Sequence, residues 1–286
     1  MQVMSHEPIE TRRIVRLRGG AAREEDDQVV VEEPLEIRVG GEALAILMRT
    51  PGHDLDLAAG FAITEGVVGS FADIGTLRHC DAPGADGASH PENAVEIGLA
   101  TGVTFDRERL RRNLVASAAC GLCGRAALDA LGDRARVNTT RVTVSASILL
   151  SLPGRLVESQ AIFHRTGALH GAALFDAAGT PLVVREDVGR HNAVDKAIGR
   201  AAIDGLDLTR AILAVSGRTS FEILQKAAVA SIPIVCAVSG PTTLAIDTAR
   251  AFGITLVNFV RPGGMNVASG AERVTGAAAS RVESPA

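Results

Sequence analysis

An α/β fold preceded by a smaller α+β unit is predicted by three features of the sequence. Three short apolar runs, Ala211–Val215, Ile234–Val238 and Thr255–Phe259, are separated by segments of helical period. Strand–helix–strand–helix–strand order implies right-handed crossovers, a largely parallel sheet and helices on its faces. Earlier, Leu35–Val39 alternates apolar and polar residues, and Gly40-Gly41 turns it into Glu42–Met48, a β-hairpin pattern.

The elements follow in order. Residues 1–27 are polar and charge-blocked, with Arg12, Arg13, Arg16 and Arg18 ahead of Glu24–Asp27, so they are expected to form a disordered tail. Residues 28–113 make up the small α+β domain. After its hairpin, Pro51 stops extension, and Asp54 is placed to cap a helix bearing Leu57, Ala58, Phe61 and Ala62 on one face. Residues 81–93 read as a loop and Ala94–Leu99 as a strand. Residues 114–267 make up the larger α/β domain. Gly171–Phe175 and Pro181–Val184 read as strands there, and Thr219–Glu222 has capping-box spacing before a helix. Pro241 falls in the first turn of the next helix, which carries a Leu244/Thr248/Phe252 stripe and ends before Gly253. Residues 268–286, rich in Ala, Ser and Gly, are expected to be a second disordered tail.

At 286 residues the chain can form one large or two modest domains. Hydrophobic residues make up 47% and charged ones 22%, proportions of a soluble globular protein. The 33 acidic side chains outnumber 29 basic ones, a net charge of -4 that disfavours duplex DNA or an anionic membrane surface as partner. With no Trp and no Tyr, stacking platforms for single-stranded nucleic acid are lacking. Lys196 and Lys226 are the sole lysines, so the positive charge is nearly all guanidinium, suited to fixed phosphate or carboxylate contacts. A GC-rich genome would leave the same bias. No apolar run reaches the roughly 18 residues that span a bilayer, and no secretory pattern opens the chain. Four cysteines, Cys80, Cys120, Cys123 and Cys236, are too few for a disulfide scaffold and read as reduced thiols in a cytoplasm.

The sharpest chemical signal is Cys120-Gly-Leu-Cys123, flanked by Ala119 and Gly124. A zinc site needs four ligands, and only His79 and Cys80 could complete one. A redox pair would open a helix early in a βαβ unit, which this does not. A purely structural role makes odd use of glycine-flanked thiols. A nucleophilic or sulfur-carrying thiol is the favoured reading. Arg107, Arg109, Arg111 and Arg112 lie just upstream, where they either favour thiolate and attract phosphate or form a solvated face balanced by Asp106 and Glu108.

Three further segments carry polar groups at expected strand ends, where ligands of such sheets bind. Arg185–Lys196 (REDVGRHNAVDK) reads as an anion pocket or as an ion-pair network between helices. His164 and His170 lie shortly before it. Ser216–Ser220 (SGRTS) joins strand to helix without being a Walker loop, and Val257–Asn266 leaves the last strand with Arg261 and a glycine pair. His53, Cys80 and Cys236 read as structural.

The ordered set Thr50–Gly66, CGLCG, FHRTGALHGA, REDVGRHNAVDKAIG, SGRTSFEILQKAA and SGPTTLAIDTARAFGITLVNFVRPGGMN resembles the FdhD family of formate dehydrogenase accessory sulfurtransferases, over residues 30 to 268. The resemblance implies a cytidine-deaminase-like three-layer C-terminal domain, a smaller N-terminal domain and a homodimer. It implies a carrier that accepts sulfur from a cysteine desulfurase as a persulfide. The sulfur then passes to the Mo-bis(molybdopterin guanine dinucleotide) cofactor before that cofactor enters formate dehydrogenase. By position, Cys120 bears the persulfide and Cys123 is its partner. Phe259, Val260, Arg261, Pro262, Gly263 and Gly264 match the cofactor-binding segment. With Arg190, His191 and Arg218 they are expected to hold its phosphates and guanines. Deaminase chemistry and zinc are not expected, because H-x-E and P-C-x-x-C are absent. Two alternatives are a dithiol redox enzyme and a non-catalytic chaperone that binds the cofactor.

Overall fold

The computed structural model of the protein describes residues 7–81, 91–105 and 124–276. The CxxC pair and the arginines before it lie outside the described residues. So do 1–6, most of the 81–93 loop and 277–286.

The chain begins with an antiparallel ribbon, β1 (Ile9–Arg18) and β2 (Ala21–Val30), closed by Gly19-Gly20 with both glycines at positive φ. This corrects the expected disorder of residues 1–27. The charge blocks are a pairing pattern: in register, Arg13 meets Asp26, and Arg16 reaches Glu25 and Asp27 across the ribbon. A glycine pair at a two-residue turn supplies the left-handed conformations a hairpin needs.

The four strands β3 (Glu33–Val39), β4 (Glu42–Arg49), β5 (Ile74–His79) and β6 (Ala94–Leu99) form a sheet in the order β4-β3-β6-β5. Helix α1 (Asp54–Thr64) covers one face, burying Leu57 and Phe61 against Leu35, Ile37 and Ile97. The expected cap is not at Asp54. The helix starts there behind His53, whose φ is 60°, and Asp54 instead grips the buried Arg49 through Oδ1 at 2.9 Å and Oδ2 at 3.1 Å. A buried guanidinium needs that carboxylate more than the helix end does.

The larger unit runs α2 (Gly124–Gly132), β7 (Val144–Ser145), α3 (Ala146–Glu158), α4 (Ala161–Thr166), β8 (His170–Phe175), β9 (Pro181–Asp187) and α5 (Arg190–Ile203). It continues β10 (Ile212–Val215), α6 (Phe221–Val229), β11 (Ile234–Ala237), α7 (Thr243–Ala251), β12 (Thr255–Arg261), β13 (Gly264–Ser269) and β14 (Val274–Thr275). Its sheet has the order β13-β12-β11-β10-β8-β9. Only β10, β11 and β12 run parallel; β8, β9 and β13 join antiparallel, so the sheet is mixed rather than largely parallel.

Strand alternation builds three layers. Phe175, Ile212, Ala214, Ile234, Cys236 and Val257 pack under α3, while Leu174, Leu213, Val215, Val235 and Leu256 face the layer of α5, α6 and α7. The C-terminal segment is ordered through residue 276, correcting the tail expected from 268. Strand β14 pairs with β7, and the buried Arg273 donates to the carbonyls of Asn138 and Thr140.

The two units are joined through α1 and α5, which meet backbone to backbone. A Cβ on Gly60 would lie 1.9 Å from the carbonyl oxygen of Asp195, and one on Gly199 1.9 Å from that of Asp56. Buried ion pairs flank the crossing. Arg185 reaches Asp56 at 2.8 Å, and Lys226 bridges Glu65 at 2.7 Å and Asp195 at 2.9 Å.

Candidate functional site

The C-terminal ends of β10, β11 and β12 open into three loops, and hydrogen bonds lock the first two together. The amide of Ser216 donates to the Gly171 carbonyl, and the Gly171 amide donates back to the Ser216 hydroxyl at 2.9 Å, fixing the 216–220 loop to β8. Thr219 turns into the core. Its amide donates to the Gly240 carbonyl, its carbonyl accepts from Thr242, and its hydroxyl accepts from Asn258 Nδ2 at 2.9 Å. The cap of α6 is therefore Ser220, not Thr219, and Ser220 makes no side-chain bond to the helix amides. Its hydroxyl bonds the Glu222 carboxylate instead. The Glu222 carboxylate also accepts from its own amide, so an acidic side chain already sits at the first turn of α6, whereas α7 is capped by Thr242, which accepts from Ala245.

The Arg185–Lys196 segment divides between the two roles its sequence allowed. Arg185 pairs with Asp56, Glu186 accepts from the Ile162 and Phe163 amides of α4, and Asp195 pairs with Lys226. Asp187 is fully buried. Its Oδ1 accepts from the Gly189 amide at 2.8 Å and Asn192 Nδ2 at 3.0 Å, while its Oδ2 lies 2.7 Å from Lys196 Nζ. Those residues are structural. The same contacts set the first turn of α5 so that Arg190 and His191 face the 216–220 loop.

Arg190 is the informative side chain. Its Nε is shielded from solvent and has no hydrogen-bond partner among the described residues. A buried donor left unpaired costs about 1–3 kcal/mol, and an anionic oxygen is its natural complement. Beside it, Gly217 has no side chain to intrude: a Cβ there would lie 3.4 Å from His170 Nδ1 and 3.6 Å from Arg190 Cδ. His170 Nδ1 is 3.5 Å from the Ser216 hydroxyl, and His191 Nε2 is 3.4 Å from the Ser220 hydroxyl.

Both imidazoles are held neutral. Burial, reinforced by the Arg190 charge, pushes His191 down to about 4 and lowers His170 in the same sense. Because the unfolded chain takes up protons near 6.5, acidification from there towards 4 favours the unfolded state, and stability falls with it. A histidine NMR titration is expected to place His191 near 4, and a His191→Gln chain should lose less stability over that interval. A midpoint at the free-imidazole value overturns the assignment.

The other expected site residues lie at the end of β12, in the Pro262-Gly263 turn and at the start of β13. Phe259 has φ +52° and a 46% exposed ring set against Gly240, where a Cβ would approach Cζ to 2.7 Å. Arg261, Pro262, Gly263, Gly264 and, on the first loop, Arg218 are exposed. Val260 is buried in the core beneath α3, so its side chain is not available to a ligand. His164 is exposed on α4 and apart from this cluster, whereas Cys236 is buried with its thiol pushed up to about 12. Sequence reasoning missed Gly240 and the tie made by Asn258; the glycine before Pro241 was the available signal.

The chain is similar to known proteins over most of its length. Residues 30–275 match the model of the FdhD/NarQ family. The sulfur carrier protein FdhD of Streptomyces coelicolor is 49% identical over 269 residues, covering 93% of this chain and 95% of that protein. Its counterpart from Mycolicibacterium paratuberculosis is 46% identical over 277 residues, covering 96% and 100%. A crystal structure of a proposed formate dehydrogenase accessory protein from Desulfotalea psychrophila superposes with a TM-score of 0.74 at 23% identity, over 94% of this chain and all of that one. At that identity it supports the fold alone.

Proposed function

The chain belongs to the FdhD/NarQ family, and from that membership we propose that it is a sulfur carrier serving formate dehydrogenase. A cysteine desulfurase transfers sulfur to Cys120, leaving a persulfide. The Cys123 thiolate then attacks the sulfur bonded to Cys120 Cβ. The persulfide S–S bond breaks, its electron pair leaves with the outer sulfur as sulfide, and a Cys120–Cys123 disulfide forms. A cellular thiol reductant resets the pair.

The sulfur acceptor, a substrate here, is the Mo-bis(molybdopterin guanine dinucleotide) cofactor. The single observation that carries this reading is the buried, unpartnered Arg190 Nε facing the 216–220 loop. Phosphate is the ligand such a donor set recognises. Arg218 and Arg261 add charge at the rim, Phe259 offers a face for a guanine, and neutral His170 and His191 donate or accept without changing charge. Pro262, Gly263 and Gly264 shape the turn around it. The three helix–sheet–helix layers support the cytidine-deaminase-like reading of the fold. The protein works as a cytoplasmic homodimer.

Intact mass after incubation with a cysteine desulfurase and cysteine tests the proposal. One added sulfur is expected, removable by reductant and absent from Cys120→Ala. No added sulfur, with guanosine diphosphate still bound, would make the protein a cofactor-binding chaperone instead.

A further inference from the structure

Ser216 and Ser220 decide which imidazole nitrogens of the site carry protons. A serine hydroxyl has a single proton to give and lone pairs to receive with. Ser216 Oγ already receives the Gly171 amide at 2.9 Å. Among the described residues, the acceptor left for its own proton is His170 Nδ1 at 3.5 Å. The ring is held neutral, so a proton absent from Nδ1 sits on Nε2. Ser220 works the other way. Its proton goes to the Glu222 carboxylate, and its oxygen is left to accept from His191 Nε2 at 3.4 Å. Both rings then carry the proton on Nε2, yet they present opposite ends: His170 an N–H, His191 the lone pair of Nδ1.

We propose that Ser216 is a positioning residue: by donating to Nδ1 it holds His170 in the Nε2–H form, which sets a neutral donor beside Arg190 Nε–H for an anionic ligand. The ring edge from Nδ1 to Cε1 borders the empty Cβ position of Gly217 at 3.4 and 3.6 Å, and Arg190 Cδ borders the same position at 3.6 Å. His170 and Arg190 therefore line one space, which the glycine keeps open. Nε2 follows Cε1 around the ring, away from Ser216, and bonds nothing among the described residues. In the opposite form the Ser216 proton would lose its acceptor, and an anion would meet the Nε2 lone pair. A hydrogen bond to an anionic oxygen is roughly twice as strong as a neutral one, so the form of this ring bears directly on affinity. The role rests on the nucleotide reading of the site, which leaves Ser216 unassigned.

Long-range proton–nitrogen correlation spectra of the full chain are expected to show His170 and His191 both protonated at Nε2. In Ser216→Ala, His170 should populate the Nδ1–H form while His191 keeps its own, and guanosine diphosphate should bind about tenfold more weakly. Loss of the Gly171 bond could also loosen the strand end, and His170 separates the two causes. A glutamine there carries its own N–H near the place of Nε2 and has no tautomer to set. Ser216→Ala added to His170→Gln should therefore bring no further loss, and His170→Asn, whose amide stands nearer Nδ1, should bind more weakly than His170→Gln. An equal loss in both backgrounds makes Ser216 structural and overturns the proposal. So does an Nδ1–H His170 in the parent, or a Ser216→Ala chain that binds like the parent. A parent that binds no guanosine diphosphate, with His170 still Nε2–H, overturns the nucleotide reading and this role together.

Discussion

A Gly60→Ala chain is expected to lose its native fold, and Gly199→Ala to do the same. Each added Cβ would sit 1.9 Å from a backbone carbonyl oxygen of the facing helix, and backbone cannot swing aside as a side chain can. Relief requires α1 and α5 to separate. That would open the apolar seam between the units and stretch the buried Arg185–Asp56 and Lys226–Asp195 pairs that flank it. Overpacking of a tight core costs about 1–3 kcal/mol when side chains can adjust; here the loss should exceed about 4 kcal/mol, among the largest single-site effects. Gly154 in α3 is the control, because nothing lies within 4 Å of its Cβ position. Alanine there should stabilise by about 0.5–1 kcal/mol through helix propensity. Urea denaturation compares the three. A Gly60→Ala chain as stable as its parent would show that the helices are not in backbone contact.

That crossing illustrates what the sequence made legible. The hairpin at Gly40-Gly41, the strand Ala94–Leu99 and the helix from Asp54 could be read locally, since alternation and helical period are properties of neighbouring residues. Gly60 looks like an ordinary mid-helix glycine, and only the facing carbonyl of Asp195 explains it. The ribbon was misread for a related reason. Arginines followed by acids look like a solvated tail until Gly19-Gly20 folds one block against the other. Composition cannot distinguish charges that repel along a chain from charges that pair across a turn.

The candidate site was legible as a location, but not in the division of labour within it. Polar residues after Val184, Val215 and Val257 pointed to the strand ends, and the structure gathers them there. Nothing local indicated that Asp187 and Lys196 would be buried together while Arg190 and His191, between them in sequence, face the 216–220 loop. Helical geometry sorts the segment. Lys196 and Asn192 share the face turned towards the smaller unit, and both reach back to Asp187 at the foot of the helix. The chain's two lysines are thus both in buried ion pairs, leaving guanidinium groups to supply the cations of the site.

The Lys196–Asp187 pair predicts the second large effect. Lys196→Met keeps the volume of the side chain but leaves the Asp187 carboxylate buried without its cation, and removes the donor to the Thr50 carbonyl at 2.8 Å. Removing one partner of a buried pair typically costs about 3–5 kcal/mol. Asp187→Asn in the same chain should restore most of that stability. A neutral amide needs no counterion, and its oxygen still accepts from the Gly189 amide, while its Nδ2 takes the place of the oxygen that accepts from the Thr50 amide. The double variant therefore removes the charge imbalance, and Asp187→Asn alone is the control for the lost Thr50 bond. If Lys196 serves only to neutralise Asp187, the repaired chain binds guanosine diphosphate like the parent. If it also draws the Thr50 turn against the first turn of α5, affinity stays reduced after the fold has recovered, because Arg190 and His191 are carried on that turn. The contacts favour the second outcome: Thr50 bonds Asp187 through its amide and the Val188 amide through its hydroxyl, so the smaller unit holds the start of α5 from three atoms. Equal affinity in the double variant and the parent would reduce the pair to a purely stabilising role.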